Sequence, residues 1–358
     1  MYSEPPPRKH SCQFTMATHF SKLPIVDLGG LQQTELSADT IDNLSRQLYN
    51  VFSTTGFAYL VNTPLSFTHE DIFGLTRELF TLPTNEKMRL AKKSFLPGHR
   101  NTYRGYFPVQ PHLASDNLKE GFEIGNPAAS YSAMAEGQKI NLSEPNVWPS
   151  TSNFNGQEKL EQLYGELQAF ASQLLSLLAV SLGKDTGYFA PWLDDSLSTL
   201  RLLHYPPSAR NEQEHNPDNI KLSCTPHTDS GILTLLTQDS TGGLEVLNAA
   251  GDWVSAPYVP NSIVVNIGDL MARVSGGRFT ATMHRVRRPS PKSAPEEEEE
   301  GEVGRFSVPF FFEPGEACVV VPVDGDAESV LYGEHVRKKM ATFVEFQEDS
   351  GYDTGTTE

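Results

Sequence analysis

Apolar residues fall into two rhythms along the 358-residue chain, helical in its first half and strand-like in its second. Leu23 to Leu28 form a short apolar run closed by Gly29 and Gly30, which predicts a strand. Ile41, Leu44, Leu48, Val51 and Phe52 then recur every three or four residues and predict one face of a helix. Thr55-Gly56 ends it, and Phe57 to Val61 reads as a second strand. A second amphipathic helix is expected over His69 to Phe80. Lys93 to Asn153 is rich in Pro, Gly, Asn and Ser and weakly patterned, the texture of lids and binding loops. Leu160, Leu163, Leu167, Phe170, Leu174 and Leu178 predict a long core-supporting helix stopped by Gly183.

From Leu200 the pattern becomes short β-like runs separated by turn residues. They are Leu200 to Tyr205, Lys221 to Thr225, Ile232 to Gln238, Leu244 to Leu247, Ile263 to Ile267, Thr282 to Val286 and Arg305 to Phe312. Such spacing predicts an antiparallel sandwich or barrel. Asn248 to Asp252 reads as a hairpin loop, and His335 to Phe346 as a final helix. No internal repeat is visible. The expected division is a flexible tail at 1–20, a helical and irregular region at 21–190, a β core at 191–347 and a second tail at 348–358. Within the core, 289–304 is low-complexity and reads as a solvated acidic loop.

Charge narrows the partners. Lys plus Arg number 28 against 45 Asp plus Glu, a formal net charge of −17. That balance disfavours nucleic acid and anionic membrane, both of which reward clustered Lys and Arg. Cys12, Cys224 and Cys318 are too sparse for a disulfide framework or a Cys-based zinc site. The N-terminus has no secretory apolar region, and Ala169 to Leu182 is too short and too interrupted to span a bilayer. A cytoplasmic protein, monomeric or weakly dimeric, with a small-molecule substrate is expected.

Three short motifs carry candidate chemistry. In Pro226-His227-Thr228-Asp229-Ser230-Gly231, an imidazole and a carboxylate two positions apart share one face of extended backbone. His284 follows Asp229 by 55 residues on another β-like run, from which it reaches the same cation across an antiparallel pair. Two imidazoles and one carboxylate on one face of an octahedron leave three positions open, the facial triad of non-haem Fe(II) oxygenases. Arg305-Phe306-Ser307 places a guanidinium and a hydroxyl on one strand face, a fitting anchor for a carboxylate. The HxD and RxS motifs are each weak alone.

Taken in this order, HxD, a distal His and RxS resemble the 2-oxoglutarate- and Fe(II)-dependent dioxygenase superfamily, and within it the isopenicillin N synthase-like branch. Leu23-Pro24-Ile25-Val26-Asp27, Thr55 to Leu60, His204-Tyr205-Pro206-Pro207, Gly242 to Val246 and Asn266-Ile267-Gly268-Asp269 are similar to further landmarks of that branch. The resemblance spans about residues 21 to 347. It implies a mainly β fold, a distorted double-stranded β-helix (jelly roll) with N-terminal helices packed against it in one unit. It implies His227, Asp229 and His284 as ligands of Fe(II), and Arg305 and Ser307 as the anchor of 2-oxoglutarate. Tyr205 matches a tyrosine that hydrogen-bonds that cosubstrate. Arg201 resembles a cosubstrate- or substrate-contacting arginine of bacterial ethylene-forming enzymes, which share a segment like Tyr332 to His335. With O2, the implied reaction oxidises a C–H bond of a small metabolite by hydroxylation, desaturation or ring formation, giving succinate and CO2.

Two departures stand out. Arg305 lies 21 residues after His284 because of the acidic loop, about twice the usual gap, which leaves Arg287 and Arg288 as rival anchors. The spacer between Tyr205 and His227 is also long. Asp229 is intact, which disfavours the halogenase variant. Tyr103, Arg104, Tyr106, Phe107, Phe122, Glu123, Leu203 and Phe343 are the substrate-pocket candidates, with Arg104 and Glu123 as alternatives for pairing with each other. Competing readings are a same-fold iron oxidase that uses no 2-oxo acid, a non-catalytic jelly-roll binding module, and a hydroxylase of protein or nucleic acid.

Overall fold

A computed structural model describes residues 18–33, 35–110, 118–129, 138–207, 222–288, 304–324 and 328–340. The acidic run 296–302, the C-terminal tail, most of the N-terminal tail and Phe343 lie outside the described residues.

Alternating apolar positions make the strands, and two layers of cover explain why many of them are apolar on both faces. The first half of the chain gives β1 (Ile25–Asp27), α1 (Ala38–Thr54), β2 (Phe57–Val61), α2 (His69–Phe80), α3 (Thr84–Met88), β3 (Gly105–Phe107), β4 (Glu120–Ile124) and α4 (Gln157–Ser181). The second half gives β5 (Thr199–Tyr205), β6 (Leu222–His227), β7 (Leu233–Gln238), β8 (Leu244–Leu247), β9 (Trp253–Ser255), β10 (Ile263–Ile267), α5 (Asp269–Val274), β11 (His284–Arg287), β12 (Arg305–Phe312), β13 (Val319–Val320), β14 (Val330–Leu331) and α6 (Tyr332–Met340). An eight-stranded sheet has the order β1-β2-β10-β7-β12-β5-β4-β3, and a four-stranded sheet the order β6-β11-β8-β9. All pairs are antiparallel except β1 with β2. The architecture is the expected jelly-roll core, with helices on the outer face of the large sheet.

β2 shows how the layers divide. Ala58 and Leu60 belong to the main core with Leu48 and Phe52 of α1, whereas Phe57 and Tyr59 belong to a second cluster with Leu244, Val246 and Val286 of the small sheet. A strand covered on both faces reads as a continuous apolar run. The stripe of α4 is buried as its period demands, and Tyr164 meets Phe310 of β12 edge-on at 5.4 Å. α2 begins at a capping box in which Thr68 and Asp71 satisfy each other's backbone N–H groups.

Several short elements were not expected from the pattern. β3 and β4 arise inside the stretch read as irregular, and α5 follows the Gly268 cap. β4 reads Glu-Gly-Phe-Glu-Ile and is buried at every position. Its two carboxylates look like solvent-facing residues in the sequence but are paired inside the protein: Lys87 and His204 hold Glu120, and Lys92 and Arg201 hold Glu123. α6 starts at Tyr332, three residues before the expected start, and the described residues end at Met340.

Candidate functional site

β6 ends at His227 and β11 begins at His284, and the two are direct register partners. Their rings lie 4.3 Å apart, centroid to centroid. Asp229, two residues past β6, turns into the same space. One donor atom from each residue lies within 4.8 Å of the others, and among the described residues no other group of three metal-ligating side chains converges in this way.

Hydrogen bonds orient each group. Thr234 donates from its hydroxyl at 2.6 Å and Asn266 from its amide at 2.8 Å, both to Asp229 Oδ2. Oδ1 is thereby turned towards the two His Nε2 atoms, each 3.8 Å away. His227 Nδ1 lies 2.8 Å from the Thr225 carbonyl and His284 Nδ1 3.2 Å from that of Thr282. A carbonyl accepts only, so each Nδ1 carries a proton and each Nε2 faces the centre. Phe57 packs edge-on against His284 and fixes its ring.

Electrostatics agree with a cation site. Burial would raise the Asp229 carboxyl, but the imidazoles and its two hydrogen bonds hold it below the ordinary carboxylate value. Burial, then His227, pushes His284 down to about 4, so it is a neutral ligand at pH 7. Burial opposes protonation of His227, yet the Cys224 sulfur at 3.8 Å, as a thiolate, and Asp229 push it up to about 9. Loading a divalent ion there releases that proton.

The loop carrying Asp229 is held by the start of α5. The Asp269 and Leu270 backbone N–H groups donate to the Asp229 and Ser230 carbonyls at 2.7 and 3.3 Å, and Gly268 N–H to that of Ile232 at 3.0 Å. A Cβ on Gly268 would lie 2.3 Å from the Gly231 carbonyl oxygen. Gly268→Ala should therefore displace the loop, cost about 1–3 kcal/mol of stability and weaken divalent-ion affinity ~10-fold or more. Thermal melting and metal titration check this, and an unchanged affinity would contradict the bracing role.

A cavity of about 230 Å³ opens from the triad between the two sheets. Alternate residues of β12 run along its wall: Arg305, Ser307, Pro309 and Phe311, then Glu313 beyond the strand. Arg305 is 1% exposed, and its Nε donates to the Gly242 carbonyl at 2.6 Å. Its guanidinium lies 4.8 Å above the Tyr205 ring, whereas its Nη1 is buried without a partner. An orphaned, buried, charged N–H in a cavity wall fits an anionic ligand. The rival Arg287 pairs with Glu245 at 3.4 Å on a half-exposed surface.

The substrate candidates divide. Tyr103, Leu203 and Arg201 line the cavity beside Tyr205. Arg104, Tyr106, Phe107, Phe122 and Glu123 do not, and packing explains why. The Arg104 guanidinium donates to Thr199 Oγ1 at 2.6 Å and reaches the Leu142 and Leu197 carbonyls. The Tyr106 hydroxyl donates to Glu120 at 2.6 Å, Phe107 packs under the Lys92 ammonium and Phe122 against Trp148. Glu123 pairs with Arg201 and Lys92, so it is one place removed from the cavity and acts through Arg201. Phe343 lies outside the described residues. Thr234, Asn266, Phe57 and Glu313 were not singled out from the sequence. The Asn266 motif was legible as a landmark, but only the fold connects it to Asp229.

Known proteins resemble this chain in sequence and fold. Residues 196–314 match a family model described as the 2OG-Fe(II) oxygenase superfamily, and residues 23–151 one described as non-haem dioxygenase in morphine synthesis N-terminal. The 2-oxoglutarate-Fe(II) type oxidoreductase hxnY of Emericella nidulans is 31% identical over 262 residues, 70% of this chain and 68% of its own. A homoarginine-6-hydroxylase of Arabidopsis thaliana is 28% identical and covers 91% of this chain and 99% of its own. The crystal structure of a full-length Neurospora crassa protein in complex with alpha-KG and 5-formyluracil superposes with a TM-score of 0.73 at 26% identity, covering 91% of this chain and 98% of the other.

Proposed function

Because the chain belongs to the 2OG-Fe(II) oxygenase superfamily, we propose that His227, Asp229 and His284 hold its Fe(II) and that Arg305 with Ser307 holds 2-oxoglutarate. The enzyme is a 2-oxoglutarate-dependent dioxygenase, and Fe(II), 2-oxoglutarate and O2 are the reactants of its family. The observation that carries the assignment is Asp229, with Oδ2 occupied by Thr234 and Asn266 and Oδ1 turned to the Nε2 atoms of two imidazoles.

The chemistry the ion and the 2-oxo acid supply when bound is activation of dioxygen, with release of succinate and carbon dioxide. The chain does the positioning. Thr225, Thr282, Thr234 and Asn266 fix which atom each ligand presents. Arg305 and Ser307 fix the far carboxylate of the cosubstrate and so direct its 2-oxo end to the triad. Tyr205, the register partner of Arg305, stacks on the guanidinium and packs it in place. Tyr103, Leu203, Phe311, Val336 and Met340 form the rest of the wall and exclude water around a metabolite-sized substrate. Hydroxylation, desaturation or ring formation at a C–H bond fits this arrangement.

The test is anaerobic. Fe(II) and 2-oxoglutarate added together should give a weak visible charge-transfer band that neither gives alone. Admitting oxygen with a metabolite pool should couple succinate formation to substrate loss. Substrate loss with neither band nor succinate would point to an oxidase that uses no 2-oxo acid, and absence of band, succinate and substrate loss would point to a non-catalytic binding module.

A further inference from the structure

Glu313 is a buried charge in the cavity for which neither iron nor cosubstrate accounts. It directly follows β12, on the same alternating face as Arg305, Ser307, Pro309 and Phe311, and all five line the cavity. Register gives the order along the wall. Phe311 pairs with Thr234, which holds Asp229, so the triad stands at that level. Arg305 is six residues to one side and Glu313 two residues to the other, so their Cα atoms lie about 25 Å apart at ~3.3 Å per residue. The cosubstrate's anionic end belongs with Arg305. Glu313 stands on the opposite side of the triad.

Among the described residues no cation forms an ion pair with it. The side chain is 6% exposed, and the Tyr332 hydroxyl lies beside it. Two arginines are near, but both are engaged: Arg104 with Thr199 and backbone carbonyls, and Arg201 with Glu123. Burial pushes the Glu313 carboxyl up to about 7 despite those neighbours. Space is reserved for this side chain at Gly231, where a Cβ would lie 3.0 Å from Glu313 Cγ, so the glycine of the HTDSG motif admits it beside the triad loop. A buried carboxyl with no ion-pair partner is costly, and a ligand that brings the partner relieves the cost.

We propose that Glu313 is the substrate-recognition residue of the cavity and that the substrate carries a basic nitrogen, an ammonium or guanidinium group, which pairs with its carboxylate. This rests on the triad being the iron centre. It narrows the substrate to basic metabolites and orients them, with the nitrogen at Glu313 and the oxidised carbon towards the triad.

The test uses the anaerobic enzyme loaded with Fe(II) and 2-oxoglutarate. Homoarginine, arginine and lysine are titrated beside homocitrulline, citrulline and norleucine, whose side chains are uncharged, and perturbation of the visible band reports binding of the side-chain nitrogen. The expected result is that at least one base binds ~30-fold or more tighter than its counterpart, the worth of one hydrogen bond to a charged group. In Glu313→Gln, which keeps volume, that preference should fall to within ~3-fold while the band itself is unchanged. Failure of all three bases to be preferred overturns the assignment, as does an intact preference in Glu313→Gln. Absence of the band in the wild type removes the iron centre instead, an outcome separable from the other two.

Discussion

Asp229→Ala is expected to abolish turnover, with divalent-ion affinity reduced by more than ~10²-fold, beyond what loss of a partner to a metal ligand typically costs. The carboxylate is the one anionic donor among the three ligands, and a neutral imidazole pair has less attraction for a hard cation. The variant also strands the Thr234 hydroxyl and the Asn266 amide, which both donate to Asp229 Oδ2. Each buried donor left unmatched costs about 1–3 kcal/mol. A lower melting temperature should therefore accompany the lost affinity. Asp229→Asn separates the two effects, because it fills the same volume and keeps, in the place of Oδ2, an oxygen for both donors while removing the charge. Metal titration of both variants is the check. Wild-type affinity in Asp229→Asn would mean that the carboxylate does not hold the ion.

How much of this was legible beforehand depends on what signals its own environment. Period-3.6 and period-2 patterns reflect burial of one face, so α1, α2, α4 and the later strands follow from them. β4 was hidden because two glutamates and a glycine in five residues break the apolar run that marks a buried strand. Glu120 and Glu123 sit inside the protein only because Lys87, His204, Lys92 and Arg201 arrive from elsewhere in the chain. No local window contains those partners. The same reason separates Arg104 from the cavity: its obligations are to Thr199, Leu142 and Leu197, all distant in sequence.

In the site, spacing was informative where the strand itself does the positioning. His227 and Asp229 at i and i+2, and Arg305 and Ser307 likewise, project together by the geometry of extended backbone. Glu313 obeys the same alternation from Arg305. It was missed because a charge ending the run Phe310-Phe311-Phe312 reads as the point where a strand meets solvent. Which oxygen of Asp229 faces the ligands, by contrast, is set by residues 5 and 37 positions away and has no sequence signature.

Arg305→Ala is expected to raise the 2-oxoglutarate requirement ~10²-fold or more while Fe(II) affinity stays within about threefold of wild type. Two charge-assisted hydrogen bonds from one guanidinium account for about 3 kcal/mol or more. The separation of effects follows from position. Arg305 stands six residues along β12 from Phe311, the register partner of Thr234, and no bond connects it to any of the three ligands. Arg305→Lys tests shape as well as charge: an ammonium keeps the charge but cannot present the planar pair of N–H groups. It should recover only part of the loss. Removing the guanidinium also frees the Gly242 carbonyl and the face of Tyr205, so the melting temperature should fall modestly in both variants. Succinate formation against 2-oxoglutarate concentration, with metal content measured on the same samples, gives the readout. Unaltered 2-oxoglutarate saturation in Arg305→Ala would move the anchor elsewhere. Arg201, the other arginine of the cavity wall, is the place it would go, since its guanidinium lies over the ring of the wall residue Phe311 while Glu123, itself paired with Lys92, holds it from behind.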